Sequence, residues 1–257
     1  VEIRTRVRDD GHEVHIRADH LGLRAVAGHL AREARLARQP LADRRRDGQR
    51  LESLLQRLEH ARRGLARGRA QGDAQAEALA AWLLPIVKTT GGEVAFDTAG
   101  IAIQVLGGAG YTSEWPVEQA LRDARVLTIF EGATGIQALD LTHRRLLAND
   151  AAYQAFLAAA HGTDDPRLAA CLGELEAAAR WLKANPDKAD GGATAFLHLA
   201  ALAALSWIAG HYATCATDDA ALLATANHWL DSAADKAAPL RAQIMRGADL
   251  AERFAAL

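Results

Sequence analysis

Aromatic side chains are scarce, at 5% of 257 residues, and there are only two cysteines, one methionine and six prolines. Cys171 and Cys215 have no CxxC spacing. They suit a reducing compartment and read as ordinary buried small residues rather than a disulfide framework or a metal clip. There is no excess of positive charge, since the formal net charge is −2. The locally basic stretches "DRRRDGQR" and "RGLARGRAQG" read as solvated loops and helix ends, so nucleic acid is not an expected partner. No signal-peptide pattern is seen, and the cytoplasm is the expected location. The longest apolar stretch, "ATAFLHLAALAALSWIAGHYA" at 193–213, is long enough to span a bilayer. His198, Ser206 and His211 interrupt it and no Lys/Arg anchors flank it, so a buried helix is expected and membrane association is not. The chain begins at Val1 and its only methionine is Met245, which suggests a piece of a longer protein in preference to translation from a valine codon.

What is present is helix-forming: half of the residues are hydrophobic, and Ala, Leu and Arg are abundant. Only residues 2–18 alternate like strands, with an Asp-Gly turn inside "RDDGHE", and a β-hairpin is expected there. His12, His15 and His20 around this hairpin have no acidic or Cys partner in register, so no metal is expected. A helical stripe of Leu21, Leu23, Val26, Leu30, Ala34 and Ala37 follows, then a second of Leu51, Leu54, Leu55, Leu58, Ala61 and Leu65. Asp73 suits the N-cap of a third helix. Pro85 and Gly91-Gly92 are expected to kink or split it, and Gly107-Gly108 to stop it. Leu79, Leu83, Ile86, Val87, Val94 and Ile103 give this helix more apolar surface than one neighbour should cover, which predicts self-association. "WPVEQALRDAR" reads as a short helix, "VLTIFEG" as an extended buried link, and "TGIQALDLTHRRLL" as a helix. Beyond Asn149, "DDP", "NPD" and "DGG" punctuate three or more further helices. The expected fold is mainly α. A hairpin at 1–18 precedes a helical bundle at 19–149 and a second helical domain at 150–257.

Glu131 stands between Phe130 and Gly132, with Ile129 and Ile136 nearby. By itself it reads as an acid favouring a helix N-terminus. A buried carboxyl beside a glycine would equally suit a general base acting on a carbon acid, because burial raises its proton affinity. The glycines at 107, 108 and 110 read, by themselves, as a helix end and turn.

The whole run "QVLGGAGYTSEWPVEQALRDARVLTIFEGATGIQALDLTHRRLL", residues 104–147, resembles the C-terminal helical domain of the flavin-dependent acyl-CoA dehydrogenases. That family carries Q-x-x-GG-x-GY, then E-[YW]-P-V-E, R-D-A-[RK] and I-[YF]-EG-T, in this order and spacing. Upstream, Arg35-Leu-Ala-Arg-Gln-Pro-Leu41 is similar to its R-x-x-F-G-x-P-L signature, but lacks the Phe-Gly and is one residue shorter. "LLPIVK" and the tail look most like the long members with an added helical domain, some of which act on methylmercaptopropionyl-CoA. The resemblance implies that Glu131 is the base that takes the α-proton of an acyl-CoA thioester. It implies that Gly132 contacts substrate, and that Arg35, Gln104, Gly107 and Gly108 contact FAD, the last three on a neighbouring subunit. It also implies electron-transfer flavoprotein as acceptor and a homodimer or homotetramer. Arg122 and Asp123 match the R-D-A element and read as a structural ion pair. Ala133 stands where the family has Thr, and Phe130 where it has Tyr. The family's N-terminal helical domain and most of its β-domain have no counterpart here, and the hairpin at 1–18 reads as a remnant of the latter. A non-catalytic dimerisation module or a degenerate paralogue therefore stays open beside the enzyme reading.

Overall fold

The computed structural model describes residues 2–5, 14–17, 72–215 and 220–255. The strands β1 (Glu2–Thr5) and β2 (Val14–Arg17) pair antiparallel, with Glu2 opposite Arg17 and Thr5 opposite Val14. The Asp-Gly turn expected between them and the two helices expected over 21–65 lie outside the described residues. Everything else described is helical or turn. The helices are α1 (Ala74–Leu106), α2 (Gly108–Tyr111), α3 (Val117–Val126), α4 (Thr134–Leu139), α5 (Ala151–Ala160), α6 (Pro166–Ala184), α7 (Ala189–Cys215) and α8 (Ala220–Ala255). A π-helical stretch, Asp140–Leu147, continues α4. Among the described residues, one compact unit holds the two strands and residues 88–131. The other holds 72–87, 132–215 and 220–255. These units divide the chain elsewhere than at residue 149, because helices on both sides of that residue share a core.

Helix α1 shows how local chemistry sets its ends. The Asp73 carboxylate accepts hydrogen bonds from the backbone N–H groups of Gln75 and Ala76, both at 3.0 Å, as an N-cap should. Gly107 follows the helix with φ 62°, a left-handed conformation that glycine adopts without a Cβ penalty. Between these ends the helix runs unbroken through Pro85 and Gly91-Gly92, against the expected split. A proline inside a helix costs about 3 kcal/mol or more, in part because it cannot donate to the carbonyl four residues earlier. That carbonyl is Ala81's, and here it accepts a hydrogen bond from Nη1 of Arg145. The π-helical stretch positions the guanidinium. Its wider turn brings residues four and five apart onto one side, so Asp140 accepts from Arg144 at 2.9 Å and from Nε of Arg145 at 2.6 Å.

The core of the larger unit is built on Trp82, which has no exposed surface. Its ring stacks on Phe156 at 5.9 Å, and lies 5.3 Å from Tyr153 and 6.3 Å from Phe196. Leu79, Leu83, Ile86 and Val87 on the same helix are buried. The apolar surplus expected on this helix is therefore covered, along this half, within the chain itself. Helix α7 meets the length and apolarity of a membrane span, but 83% of its apolar window is buried in this unit, so it is a core helix. Cys171 is also buried, and burial pushes its thiol up to about 12. At the start of α6, Asp165 caps the backbone N–H of Arg167 at 2.8 Å. The Arg167 guanidinium in turn holds the Asp165 carboxyl below its ordinary value and reaches Asp231 and Asn227 on α8.

The glycines of "DGG" do not end a helix as expected; α7 runs through them. A Cβ on Gly192 would lie 2.9 Å from both the carbonyl oxygen and Cγ2 of Ile244 on α8. These glycines mark a helix crossing too close for a side chain. Gly192→Ala should therefore destabilise the protein by ~1–3 kcal/mol. Gly173→Ala, on an exposed helical position with nothing within 4 Å, should stabilise it by up to ~1 kcal/mol. Urea unfolding of both variants checks the contrast. In the same assay, Arg145→Met should cost about 1–3 kcal/mol, and less in a Pro85→Ala background, where position 85 regains an N–H for Ala81. Equal costs in the two backgrounds would show that Arg145 does not serve that carbonyl.

Candidate active site

The segment that carries Glu131 is fixed against the second half of α1. Ala99 and Val117 are buried, and Ile103, Leu106, Trp115 and Leu121 pack around them. One end of this contact is set by Gly92. A Cβ there would stand 3.2 Å from the carbonyl carbon and oxygen of Leu127 and from Cγ2 of Thr128, so the backbone of 127–128 lies directly on the helix. Arg125 places its guanidinium 5.0 Å from the ring centroid of Phe96, a cation–π contact between α3 and α1.

Residues 127–130 are turns, not the extended link expected from their apolar character. Ile129 and Phe130 both donate backbone N–H to the Val126 carbonyl, at 3.0 and 3.1 Å, and the Thr128 hydroxyl donates to the Arg125 carbonyl at 3.0 Å. These bonds wind the chain past α3. Val126 and Ile129 are consequently exposed, the latter at 60%.

Glu131 follows with φ 55°. Among the described residues it is the one non-glycine with positive φ, in a region that costs an L-residue roughly 1–2 kcal/mol. A residue that only had to make this turn would be glycine or asparagine. Such an outlier points from geometry to function. Gly132 continues with φ 94°, and a Cβ there would meet Nε2 of Gln137 at 2.8 Å. Ala133 then opens α4 as its N-cap.

The burial expected around Glu131 is not found: the residue is exposed. The physical reason is that the turn at 127–130 leaves its apolar neighbour Ile129 exposed as well. Lys88, which sequence reasoning missed, is close by. Its Nζ lies 5.9 Å from the Phe130 ring centroid, and the Glu131 charge acts on it. Its one signal in the sequence is its position one helical turn before Gly92.

Gln104, Gly107 and Gly108 gather at the other end of this half of α1. Sixteen residues separate Gln104 from Lys88, or roughly 24 Å of helix. The structure therefore brings these three together but keeps them apart from Glu131 within one chain. All three are exposed. Gly107 needs its left-handed φ, but Gly108 has nothing within 4 Å of where a Cβ would sit among the described residues. Asp123, beside Arg122, is half-buried. Burial raises its carboxyl, while the Arg122 charge and a Gln119 hydrogen bond draw it down. Arg35 lies outside the described residues.

A sequence model described as acyl-CoA dehydrogenase, C-terminal domain, matches residues 22–147. A broad-specificity linear acyl-CoA dehydrogenase of Mycobacterium tuberculosis is 40% identical over 65 residues, which are 25% of this chain and 11% of that protein. The 3-methylmercaptopropionyl-CoA dehydrogenase of Ruegeria pomeroyi is 44% identical over 70 residues, 27% of this chain and 12% of that one. Among solved structures, an acyl-CoA dehydrogenase of Bacillus anthracis complexed with FAD has a TM-score of 0.58 at 14% identity, covering 91% of this chain and 48% of that chain. Caenorhabditis elegans ACDH-11 in complex with C11-CoA has a TM-score of 0.53 at 21% identity, covering 72% of this chain and 33% of that chain. The chain thus spans a small part of the curated relatives it matches and less than half of these solved structures. Motif order, family match and fold agree: the chain belongs to the acyl-CoA dehydrogenase family, whose C-terminal helical domain it carries.

Proposed function

We propose that this chain is the C-terminal part of an FAD-dependent acyl-CoA dehydrogenase that forms the α,β double bond of an acyl-CoA thioester. The observation that supports the reading most is Glu131 itself. It is an exposed carboxylate in a conformation unusual for any non-glycine residue, inside the I-F-E-G motif and next to a glycine. Glu131 accepts the α-proton from the thioester, and the β-hydrogen departs with its electron pair as the double bond forms. FAD, when bound, supplies the acceptor for that hydride, and an electron-transfer flavoprotein then takes the electrons onward. The backbone N–H of Glu131 is suited to hydrogen-bond the thioester carbonyl, which acidifies the α-carbon. Gly132, whose missing side chain makes way for the Gln137 amide, contacts substrate in this reading.

Gln104, Gly107 and Gly108 serve a different flavin in this reading, that of a neighbouring subunit, and Arg35 joins them on its phosphates. The separation along α1 supports this, since one flavin isoalloxazine and one base must meet while these residues sit a helix-half away. The assembly is then a homodimer or homotetramer in the cytoplasm. The substrates of the relatives, linear acyl-CoA and 3-methylmercaptopropionyl-CoA, bracket the acyl class.

In the flavin-loaded enzyme containing this chain, Glu131→Gln should keep the flavin and lower turnover by about 10²–10⁴-fold, because the amide keeps the shape but cannot take a proton. Near-normal turnover with an acyl-CoA and an artificial electron acceptor would overturn the assignment. The 257-residue chain alone should bind FAD weakly or not at all, since its cofactor residues complete a site held mostly by other parts. Stoichiometric flavin absorbance in the purified chain would contradict this.

A further inference from the structure

The space that a side chain would take at Gly132 is already occupied. A Cβ there would stand 2.8 Å from Nε2 of Gln137 and 3.4 Å from Cγ2 of Ile136. The first separation is too short for a real Cβ contact, so the amide end of Gln137 lies directly on the Gly132 backbone. The helix places it there. Gln137 is the fourth residue of α4, after the Ala133 cap, and its backbone N–H donates to the Ala133 carbonyl at 3.0 Å. Side chains on a helix lean towards its N-terminus. A long side chain at this position therefore reaches back over the chain that enters the helix, and Gln137 is half-buried. That entering chain has two left-handed residues in a row, Glu131 at φ 55° and Gly132 at φ 94°. Strained backbone of this kind persists where its surroundings over-determine it.

We propose that Gln137 is a positioning residue for Glu131: its side chain, laid on the Gly132 backbone, braces the left-handed turn from which the carboxylate is presented. The proposal rests on the reading of Glu131 as the base. It gives Gly132 a second requirement besides its φ, which is room for that side chain. The role is one of shape, so a side chain of equal length serves and a truncated one does not. A shift of about 1 Å in a reacting group can cost on the order of 100-fold in rate.

Two measurements test this. In the 257-residue chain, urea unfolding of Gly132→Ala, Gln137→Ala and the double variant reads the contact. The double variant should lose less stability than the two single losses summed, because each change breaks the same contact. Strict additivity would overturn the brace. In the flavin-loaded enzyme containing this chain, Gln137→Ala should lower kcat per bound flavin by about 10-fold or more, with KM and flavin content little changed, and Gln137→Met should restore most of it. A glutamine that served folding alone would change the flavin-loaded fraction and leave kcat per flavin as it was. In a Glu131→Gln background Gln137→Ala should cost little more, since a residue that acts through the base has nothing left to position. If Gln137→Ala does not fold, Gln137→Asn, which withdraws the amide by one carbon, replaces it with the same expectation. Normal kcat in the shortened variant, with Glu131→Gln inactive, would overturn the role of Gln137 and leave the base in place. An active Glu131→Gln would overturn the base reading, and the role of Gln137 with it.

Discussion

Arg145 donating to the carbonyl of Ala81 is the contact on which most of this chain depends. Helix α1 carries the Trp82 core on its first half and the Gly92 seat of the candidate site on its second. Pro85 sits between them and withholds the backbone hydrogen that Ala81 needs. A guanidinium from 64 residues away supplies it, and the carboxylate of Asp140 fixes that guanidinium. In the π-helical turn Asp140 holds both Arg144 and Arg145. One helix can then serve two compact units without breaking.

The candidate site shows a different balance. Its backbone is held by a glycine at which a methyl group would be tightly packed and by four hydrogen bonds that wind residues 125–130. Several of its side chains are exposed. Glu131 and its apolar neighbours Ile129 and Ile136 face outward. The left-handed φ at Glu131 has a local cost that the rigid turn on α1 can sustain. A rigid backbone carrying an exposed acid is what an enzyme part requires if its substrate and the apolar cover arrive from other segments. A helix cap alone would not need the unfavourable φ.

Features that depend on near neighbours could be read before the fold was known. Asp73 as a cap, Gly107 as a stop, the Asp165-Pro166 helix start and the helix from Thr134 were legible because capping and turn preferences act over four residues. The linear order of Gln104, the glycines, the R-D-A element and Glu131-Gly132 was legible for the same reason, and it carried the family. Tertiary structure decided what depends on residues far apart. Gly191-Gly192 reads as a turn until Ile244, more than fifty positions on, is seen to leave no space for a Cβ. Pro85 reads as a break until Arg145 replaces the lost donor. The apolar letters around Glu131 suggest burial, but hydrogen bonds to Val126 and Arg125 turn those residues outward. Lys88 reads as an ordinary helical lysine until the structure brings it to Phe130. Periodicity records which side of a helix is apolar; it does not record what that side meets, since the approach of two backbones is set by contacts the local pattern does not contain.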